Sequence, residues 1–143
     1  MNSLKNRVVR GITDLHVAVI RSTHWKLGAR MGSQELCVLT TTGRKSGAER
    51  HNPLARFPHG DGLVVIASAG GSDQDPAWYL NLVANPQVRV KVDGVVRPMT
   101  ARTASDDEKA QIWPKVIAKA KNFEGYQVKT SRNIPVVILE PRA

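Results

Sequence analysis

The stretch ELCVLTTTGRKSGAERHNP, residues 35–53, indicates a strand, a tight turn and a returning strand. Residues up to Thr42 are rich in β-branched side chains, which a pleated strand favours. Gly43 and Gly47 bracket the polar residues that follow, and glycine readily adopts the backbone angles of tight turns. The stretch therefore predicts a β-hairpin, and apolar segments further along the chain add strands to it.

The turn of this hairpin carries an unusual set of hydrogen-bond donors. Arg44 offers a planar fork of N–H groups, Lys45 a mobile positive charge and Ser46 a hydroxyl. Backbone N–H groups beside the glycines can form an anion-binding nest, and Arg50 on the returning strand can point at the same anion. Two interpretations stay open: a phosphate-binding turn, or a solvated hairpin tip of ordinary composition. The P-loop pattern Gly-x4-Gly-Lys-Ser/Thr is absent.

Composition limits the classes of protein to consider. The chain has 143 residues, 41% of them hydrophobic, which suits one domain with a buried core and excludes a disordered tail. Its formal net charge of +9 favours an anionic partner: nucleic acid, an anionic membrane surface or a polyanionic cofactor. His16 and His24 match no metal-ligand spacing, so no metal site is predicted.

The single cysteine and the lack of long apolar runs indicate in which cellular compartment the protein resides. Cys37 lies inside an apolar strand and has no partner for an intrachain disulfide, so we expect a buried structural thiol. No apolar run approaches the about 18 residues that cross a bilayer. The N-terminus lacks the pattern of a signal peptide. These features lead us to expect a cytoplasmic protein.

Residues 1–32 form a basic N-terminal segment. Apolar side chains recur with helical spacing from Leu4 to Thr23, which predicts an amphipathic helix, and Trp25 follows it. The helix either packs on the domain with its cations solvated or lies on an anionic membrane. The segment contains one acidic residue, Asp14, and six basic residues: Lys5, Arg7, Arg10, Arg21, Lys26 and Arg30.

Residues 33–143 contain the remaining strands and helices. The run LVVIASA (63–69) predicts a strand buried on both faces, residues 87–92 alternate as a half-buried strand does, and Asp93-Gly94 predicts a two-residue hairpin. Asp75 and Pro76 predict the start of a short helix, and the capping box from Ser105 to Glu108 starts a longer one. With a last strand at 134–139, about six strands predict an α+β fold, a small antiparallel β-barrel with covering helices.

Several short motifs follow one another in the chain: LTTTGRKSG at 39–47, Arg50 with Asn52-Pro53-Leu54, Ala67-Ser68, Pro76-x-Trp78-Tyr79-x-Asn81-Leu82, Ala84-Asn85-Pro86, and Ile134-Pro135. In this order and spacing the sequence resembles the deazaflavin-dependent nitroreductase family, also described as deazaflavin-dependent quinone reductases. The resemblance covers residues 36–141 and, more weakly, the N-terminal helix. It implies a split β-barrel that uses reduced coenzyme F420, an anionic deazaflavin with a phosphate and an oligo-γ-glutamate tail. It also implies hydride transfer to a quinone or nitroaromatic acceptor.

The same resemblance implies a set of site residues. Ser68 and Tyr126 are the catalytic candidates; Ser68 would polarise the ring or the acceptor, although a plain serine at a strand end is the alternative. The other expected cofactor contacts fall in five groups: Arg44, Lys45, Ser46 and Arg50 on the phosphate and tail; His51, Asn52, Pro53, Leu54 and Ala55 along the second strand; Ile66, Ala67, Ser68 and Ala69 beside the ring; Ala77, Trp78, Tyr79, Leu80 and Asn81 on its other side; and Phe123 packed on the cofactor.

The chain departs from the family pattern where the acceptor binds. The nitroimidazole-reducing member presents tyrosines there, whereas this chain has Ala55, Ala120 and Phe123 and retains only Tyr126. The departure predicts poor turnover of nitroimidazoles and a wider pocket that favours a flat acceptor such as a quinone. The basic N-terminal helix would bring this pocket to a membrane, where quinones reside.

Two rival functions differ in their ligands. A split-barrel flavoprotein that uses FMN, or a haem-binding relative, would share the fold, although the polycationic turn suits a longer anionic tail better than a single phosphate. A non-enzymatic nucleic-acid binder would account for the net charge of +9. Such a protein stacks bases on aromatic side chains, and aromatics are only 5% of this chain, so we expect no nucleic-acid partner.

Overall fold

The structure, a computed structural model, describes residues 30–31 and 34–142. The predicted helix from Leu4 to Thr23 lies outside the described residues. The helices are α1 (Ala77–Ala84), α2 (Asp106–Lys119) and α3 (Asn122–Lys129), with a 3₁₀ turn at Ala69–Gly71. The strands are β1 (Arg30–Met31), β2 (Gln34–Thr42), β3 (Glu49–Ala55), β4 (Phe57–His59), β5 (Gly62–Ile66), β6 (Gln87–Val92), β7 (Val95–Thr103) and β8 (Val136–Pro141).

All strand pairs are antiparallel, and they follow one another around a barrel. The hydrogen-bonded order is β2-β6-β7-β8-β5-β4, and β3 pairs with the other edge of β2. Only Arg56 separates β3 from β4, so one bent strand pairs with β2 through its first part and with β5 through its second. Arg56 fixes the bend, because its Nε donates to the Leu36 carbonyl at 2.9 Å. The expected α+β split barrel is therefore confirmed.

The barrel has an inner and an outer apolar cluster, because alternate residues of one strand point to opposite sides. In β5, Leu63 and Val65 join the inner cluster, whereas Val64 and Ile66 join the outer one. We call the second group the outer cluster; α2 and α3 cover it with Ile112, Val116, Ala120 and Phe123. The prediction that β5 is buried on both faces is correct.

Element boundaries differ from the predictions in several places. β5 ends at Ile66, although the run LVVIASA extends to 69, and the last strand is Val136–Pro141 instead of 134–139. The stretch Pro58-His-Gly-Asp-Gly62 has the composition of a turn, but Pro58 and His59 belong to β4, so only Gly60 and Asp61 form the turn. α2 continues through Pro114 and ends at Lys119. The stretch 123–127, whose sequence predicts an irregular or weakly helical segment, lies within the helix α3. The Asp93-Gly94 hairpin and the capping box at Ser105 form as predicted, and Asp93 has the positive φ of 54° that this turn requires.

The start of α1 also differs from its prediction. Pro76, not Asp75, is the N-cap, and no side chain caps the helix. The Asp75 carboxylate instead accepts a hydrogen bond from Arg132 Nη1 at 2.7 Å. A guanidinium is a stronger partner for a carboxylate than a neutral backbone amide is. The Asp75 carboxylate therefore binds the distant Arg132 and does not cap the helix.

Cys37 will not react with thiol reagents in the folded protein. Burial raises the pKa of the Cys37 thiol to about 12, and nearby Arg56 offsets only part of this shift. The thiol is 2% exposed and stays protonated at mildly alkaline pH. A chromogenic disulfide reagent will therefore label Cys37 only after denaturation. Labelling of the native protein as fast as of the unfolded chain would contradict this prediction.

Glu108 makes a contribution to stability that disappears in acid. Hydrogen bonds from Arg102, and then from the Ser105 amide, lower the pKa of Glu108 from 4.5 to about 2. A lowered pKa in the folded state stabilises the protein above pH about 4.5 and ceases to do so as pH falls towards about 2. The Glu108→Gln variant retains a capping-box acceptor. Its melting temperature will depend less on pH over this window than that of the wild type; equal slopes would refute the assignment.

Candidate functional site

One end of the barrel gathers most of the sequence-predicted site residues. There β2 ends and β6 begins, β7 ends beside the start of β8, and β5 ends opposite Val136. The turn 43–48, the segment 67–76 and the helix α1 extend from these strand ends. We call this region the site end.

Helix α1 closes the site end. Trp78 and Leu82 are buried and join the inner cluster, so they plug the barrel. The Tyr79 hydroxyl shares a hydrogen bond of 2.8 Å with Thr103 Oγ1 at the end of β7. Ala77 and Leu80 face solvent. The indole of Trp78 is 6% exposed, so it supports the site from below instead of presenting its face to a ligand.

Asn81 joins α1 to the basic turn. Its Oδ1 accepts from the Arg44 backbone N–H at 3.2 Å and from Arg44 Nη1 at 3.0 Å. Its Nδ2 donates to Thr41 Oγ1 at 3.3 Å, and both side chains are buried. The sequence places Asn81 on the same helix face as Trp78 but gives no sign of this contact with a turn 37 residues away.

The basic turn uses its backbone amides internally. Gly43 N donates to the Ala48 carbonyl at 2.7 Å, and Gly47 N donates to the Gly43 carbonyl at 2.8 Å. The Ala48 amide donates to Ser46 Oγ at 3.2 Å, and the Arg44 amide is bonded to Asn81. These four amides do not form the predicted nest. Any anion at this turn therefore meets side chains, foremost the exposed Lys45.

The register of the hairpin sorts the residues of β3 between two faces. Arg50 lies opposite Thr41, and Asn52 and Leu54 lie opposite Leu39 and Cys37, on the inward-facing side of the sheet. His51, Pro53 and Ala55 are on the outward-facing side, where His51 Nδ1 is 2.8 Å from Thr40 Oγ1.

The barrel is split along β3. Phe57 lies opposite Val64 in the β4–β5 ladder, so Ala55, two residues earlier, is level with Ile66. From Ala55 back to Glu49, β3 is paired with β2 alone among the described strands. This stretch of six residue steps spans roughly 20 Å. We call this unpaired edge of β3 the slot; the basic turn lies at one end of it and the end of β5 at the other.

The segment that follows β5 turns sharply and packs on α3. Ala67 and Ser68 are buried, and Ala69, Gly70 and Gly71 all have positive φ angles. A Cβ on Gly71 would lie 2.9 Å from the Tyr126 carbonyl oxygen, so this close approach requires glycine. The backbone beside Ser68 is therefore held against α3.

The residues that resemble the family's acceptor site come together in the outer cluster. Ala55 and Tyr126 are half-buried and pack against it, while Phe123 and Ala120 are buried within it beside Ile66. The Phe123 ring contacts the Tyr126 ring edge-on at 5.4 Å, and Asn122 Nδ2 donates to the Tyr126 hydroxyl at 3.1 Å. Phe123 is 6% exposed, which leaves it little surface for the cofactor contact that we expected.

Arg132 is the residue that the sequence analysis missed. Its guanidinium donates to three carbonyls and one carboxylate in the segment 67–75. The side chain is 13% exposed. No motif marks this position, because its partners lie 57 to 65 residues earlier in the chain.

Metal-ligand clusters and membrane-spanning helices are both absent from the described part of the chain. No group of three or more His, Cys, Asp or Glu side chains there could hold a metal ion. No described helix combines the length and apolar character needed to cross a membrane.

The fold is a split barrel with a cationic turn beside an unpaired strand edge, and comparison with known proteins identifies its family. The profile of the F420H2-dependent quinone reductase family matches residues 13–141. An F420H2-dependent quinone reductase of Mycobacterium tuberculosis is 37% identical, over 97% of this chain and 96% of that protein.

Two solved structures agree. An F420H2-dependent reductase is 39% identical with a TM-score of 0.68, over 73% of this chain and 93% of that one. A protein described as a domain-swapped dimer is 34% identical with a TM-score of 0.70, over 95% of this chain and 99% of that one. The chain therefore belongs to the F420H2-dependent quinone reductase family, and it is an F420-dependent oxidoreductase.

Proposed function

We propose that the slot along β3 holds reduced F420, with the phosphate and tail at the basic turn and the ring near Ser68, and that the acceptor is a quinone. The observation that carries the proposal is the meeting of Ala55, Ile66, Phe123 and Tyr126 in the outer cluster, level with one end of that slot. Ala55 and Ile66 lie more than 50 residues before Phe123 and Tyr126 in the sequence, yet the resemblance assigns all four to one site.

The residues at the other end of the slot suit the anionic part of the cofactor. Lys45 is exposed on the turn, and Arg50 lies on the inward face opposite Thr41. Charged donors bind phosphate and carboxylate oxygens more strongly than neutral ones do. Asn81 holds the turn against α1, so the cations are presented from a fixed backbone.

Each part of the site has a separate task in the reaction. When bound in its reduced form, F420 supplies the hydride. The segment 67–69 supports the ring from one side, and its small residues allow a close approach. Ser68 polarises the ring or the acceptor, and the hydroxyl of Tyr126, a half-buried residue packed against the outer cluster, supplies the proton. The buried Trp78 and Leu82 keep water out of the barrel below.

The side chains of the outer cluster favour a flat acceptor. Ala55 leaves space where an aromatic residue would stand, and Phe123 offers no hydroxyl to a nitro group. A quinone needs a flat apolar surface and a donor for its oxygen, and this cluster provides both with Tyr126. We also propose that the N-terminal segment 1–32 brings the domain to an anionic membrane; recovery of the protein in the supernatant with anionic vesicles at low salt would refute this.

The function is tested by oxidation of F420H2 with a soluble naphthoquinone and, in parallel, with a bicyclic nitroimidazole. We expect the quinone to be reduced at least tenfold faster, as monitored by the return of the visible absorption of oxidised F420. Tyr126→Phe will slow quinone reduction if the hydroxyl donates the proton. Comparable rates with both acceptors would contradict the proposed preference, and no oxidation with either would refute the assignment of a quinone acceptor.

A further inference from the structure

Arg132 does not belong to the basic turn, and its guanidinium binds backbone carbonyls and a carboxylate of the segment 67–75. Nε donates to the Ser72 carbonyl at 3.0 Å, and Nη2 donates to the Ser68 carbonyl at 2.9 Å. Nη1 donates to the Ala67 carbonyl at 3.1 Å and to Asp75 Oδ1 at 2.7 Å. One side chain thereby holds both ends of the segment 67–75.

Two further contacts fix the same segment to the C-terminal part of the chain. Thr130 Oγ1 donates to Asp73 Oδ1 at 2.8 Å and also accepts the Arg132 amide at 3.1 Å. Ala67 N donates to the Pro135 carbonyl at 3.0 Å. The segment is thus held by contacts on both sides of its turn at Ala69–Gly71.

The conformation held in this way is an unfavourable one. Ala69 has a φ of 46°, in the left-handed region that a residue with a side chain rarely adopts. A segment with such a residue beside two glycines keeps one conformation only when its surroundings determine it. Arg132 is the largest of these determinants, because it contacts backbone on both sides of Ala69.

We infer that Arg132 is a positioning residue for hydride transfer: its guanidinium fixes the backbone of Ala67, Ser68 and Ser72 against which the cofactor ring packs. This inference rests on the proposed location of the ring. Because Arg132 acts at the ring and not at the anionic tail, it governs the rate of the reaction more than the affinity for F420. A displacement of the ring by about 1 Å can slow a reaction about 100-fold.

The test compares Arg132→Lys with Arg142→Lys. Lysine keeps the charge but cannot form the fork of N–H donors. Arg142 is a matched control, since it also donates to backbone carbonyls, those of Met99 at 3.1 Å and Val88 at 3.0 Å, in β7 and β6. For Arg132→Lys we expect the single-turnover rate at saturating F420H2 to fall about 10- to 100-fold, with less than about a threefold change in the Kd for F420. Arg142→Lys will leave both quantities unchanged.

A measurement without substrate supports the kinetics. In the cofactor-free protein, hydrogen exchange of the amides in 67–75 will be faster in Arg132→Lys than in the wild type and unchanged in Arg142→Lys. If both variants merely melt at a lower temperature while the rate and the exchange of 67–75 stay as in the wild type, Arg132 is only a structural contact and the inference is overturned.

The outcome separates this inference from the proposed function. If the wild type neither binds F420 nor oxidises F420H2, the proposed function fails first. If the wild type is active and Arg132→Lys retains its rate, only the inference fails. Should Arg132→Lys not fold, Asp75→Ala removes the side-chain acceptor of Arg132 Nη1; a fall in rate of about 3- to 10-fold supports the inference, and an unchanged rate overturns it.

Discussion

The Lys45→Ala/Arg50→Ala double variant will bind F420 at least about 100-fold more weakly than the wild type. A hydrogen bond to a charged group contributes about 1.5–3 kcal/mol, and each 1.4 kcal/mol is a tenfold change in affinity. Once bound at saturation, the cofactor will react at nearly the wild-type rate, because the ring end of the slot is unaltered. Titration with oxidised F420 and single-turnover oxidation of F420H2 measure the two quantities.

The matched control for this pair is Lys91→Ala/Arg97→Ala. It removes the same net charge from the hairpin between β6 and β7, whose turn at 93–94 points away from the site end. If a local site binds the anionic cofactor, only the Lys45/Arg50 variant will lose affinity for F420. If the overall charge of +9 attracts the cofactor, the two double variants will lose affinity to a similar extent. The affinity of the wild type will also fall with salt, and that of the Lys45/Arg50 variant will fall less steeply.

Asn81→Leu will destabilise the protein and loosen the basic turn together. The change leaves the Arg44 amide without its acceptor and the Thr41 hydroxyl, 1% exposed, without its donor. An unpaired buried polar group costs about 1–3 kcal/mol, so we expect the free energy of unfolding to fall by about 2–4 kcal/mol. Urea denaturation measures this loss.

Affinity for F420 separates the two roles of Asn81. It will fall about tenfold in Asn81→Leu, because the turn no longer has a fixed position relative to α1. The control is Asn85→Leu at the end of the same helix, where Oδ1 accepts only the Gln87 amide at 3.1 Å. Wild-type affinity for F420 in Asn81→Leu would show that the basic turn keeps its conformation without the contact to α1.

Local patterns in the sequence predict those elements whose cause is local. The alternation in 87–92, the Asp93-Gly94 hairpin and the capping box at Ser105 each depend on neighbours within a few residues, and all three form. The apolar run of β5 also predicts its own burial, because a strand covered on both faces has no polar alternation.

Features that depend on distant partners could not be predicted in the same way. Asp75 has the right position for a helix cap, but Arg132, 57 residues later, takes its carboxylate. The glycines around the basic turn suggest free amides, yet Asn81 and the turn itself use four of them. The gathering of Ala55, Phe123 and Tyr126 beside Ile66 follows from the bend at Arg56 and the packing of α3, neither of which has a local signature.

The resemblance to a family supplied what the physical patterns left open. The charge and the glycine-bounded turn predict an anion but cannot choose between a phosphate, a lipid and a nucleic acid. The register of β2 and β3 places Arg50 and the turn at the same end of β3. The family therefore supplies the cofactor, and its position along β3 is our proposal from the geometry.

The most direct measurement is a titration of the purified protein with oxidised F420 and, separately, with FMN, followed by tryptophan fluorescence. Trp78 lies under the site end, so a ligand in the slot will quench its emission. The account predicts quenching by F420 that is lost when Arg44 and Lys45 are both replaced by Ala, and binding of FMN at least about tenfold weaker. FMN binding as tight as that of F420, or F420 binding that survives the double replacement, would contradict it.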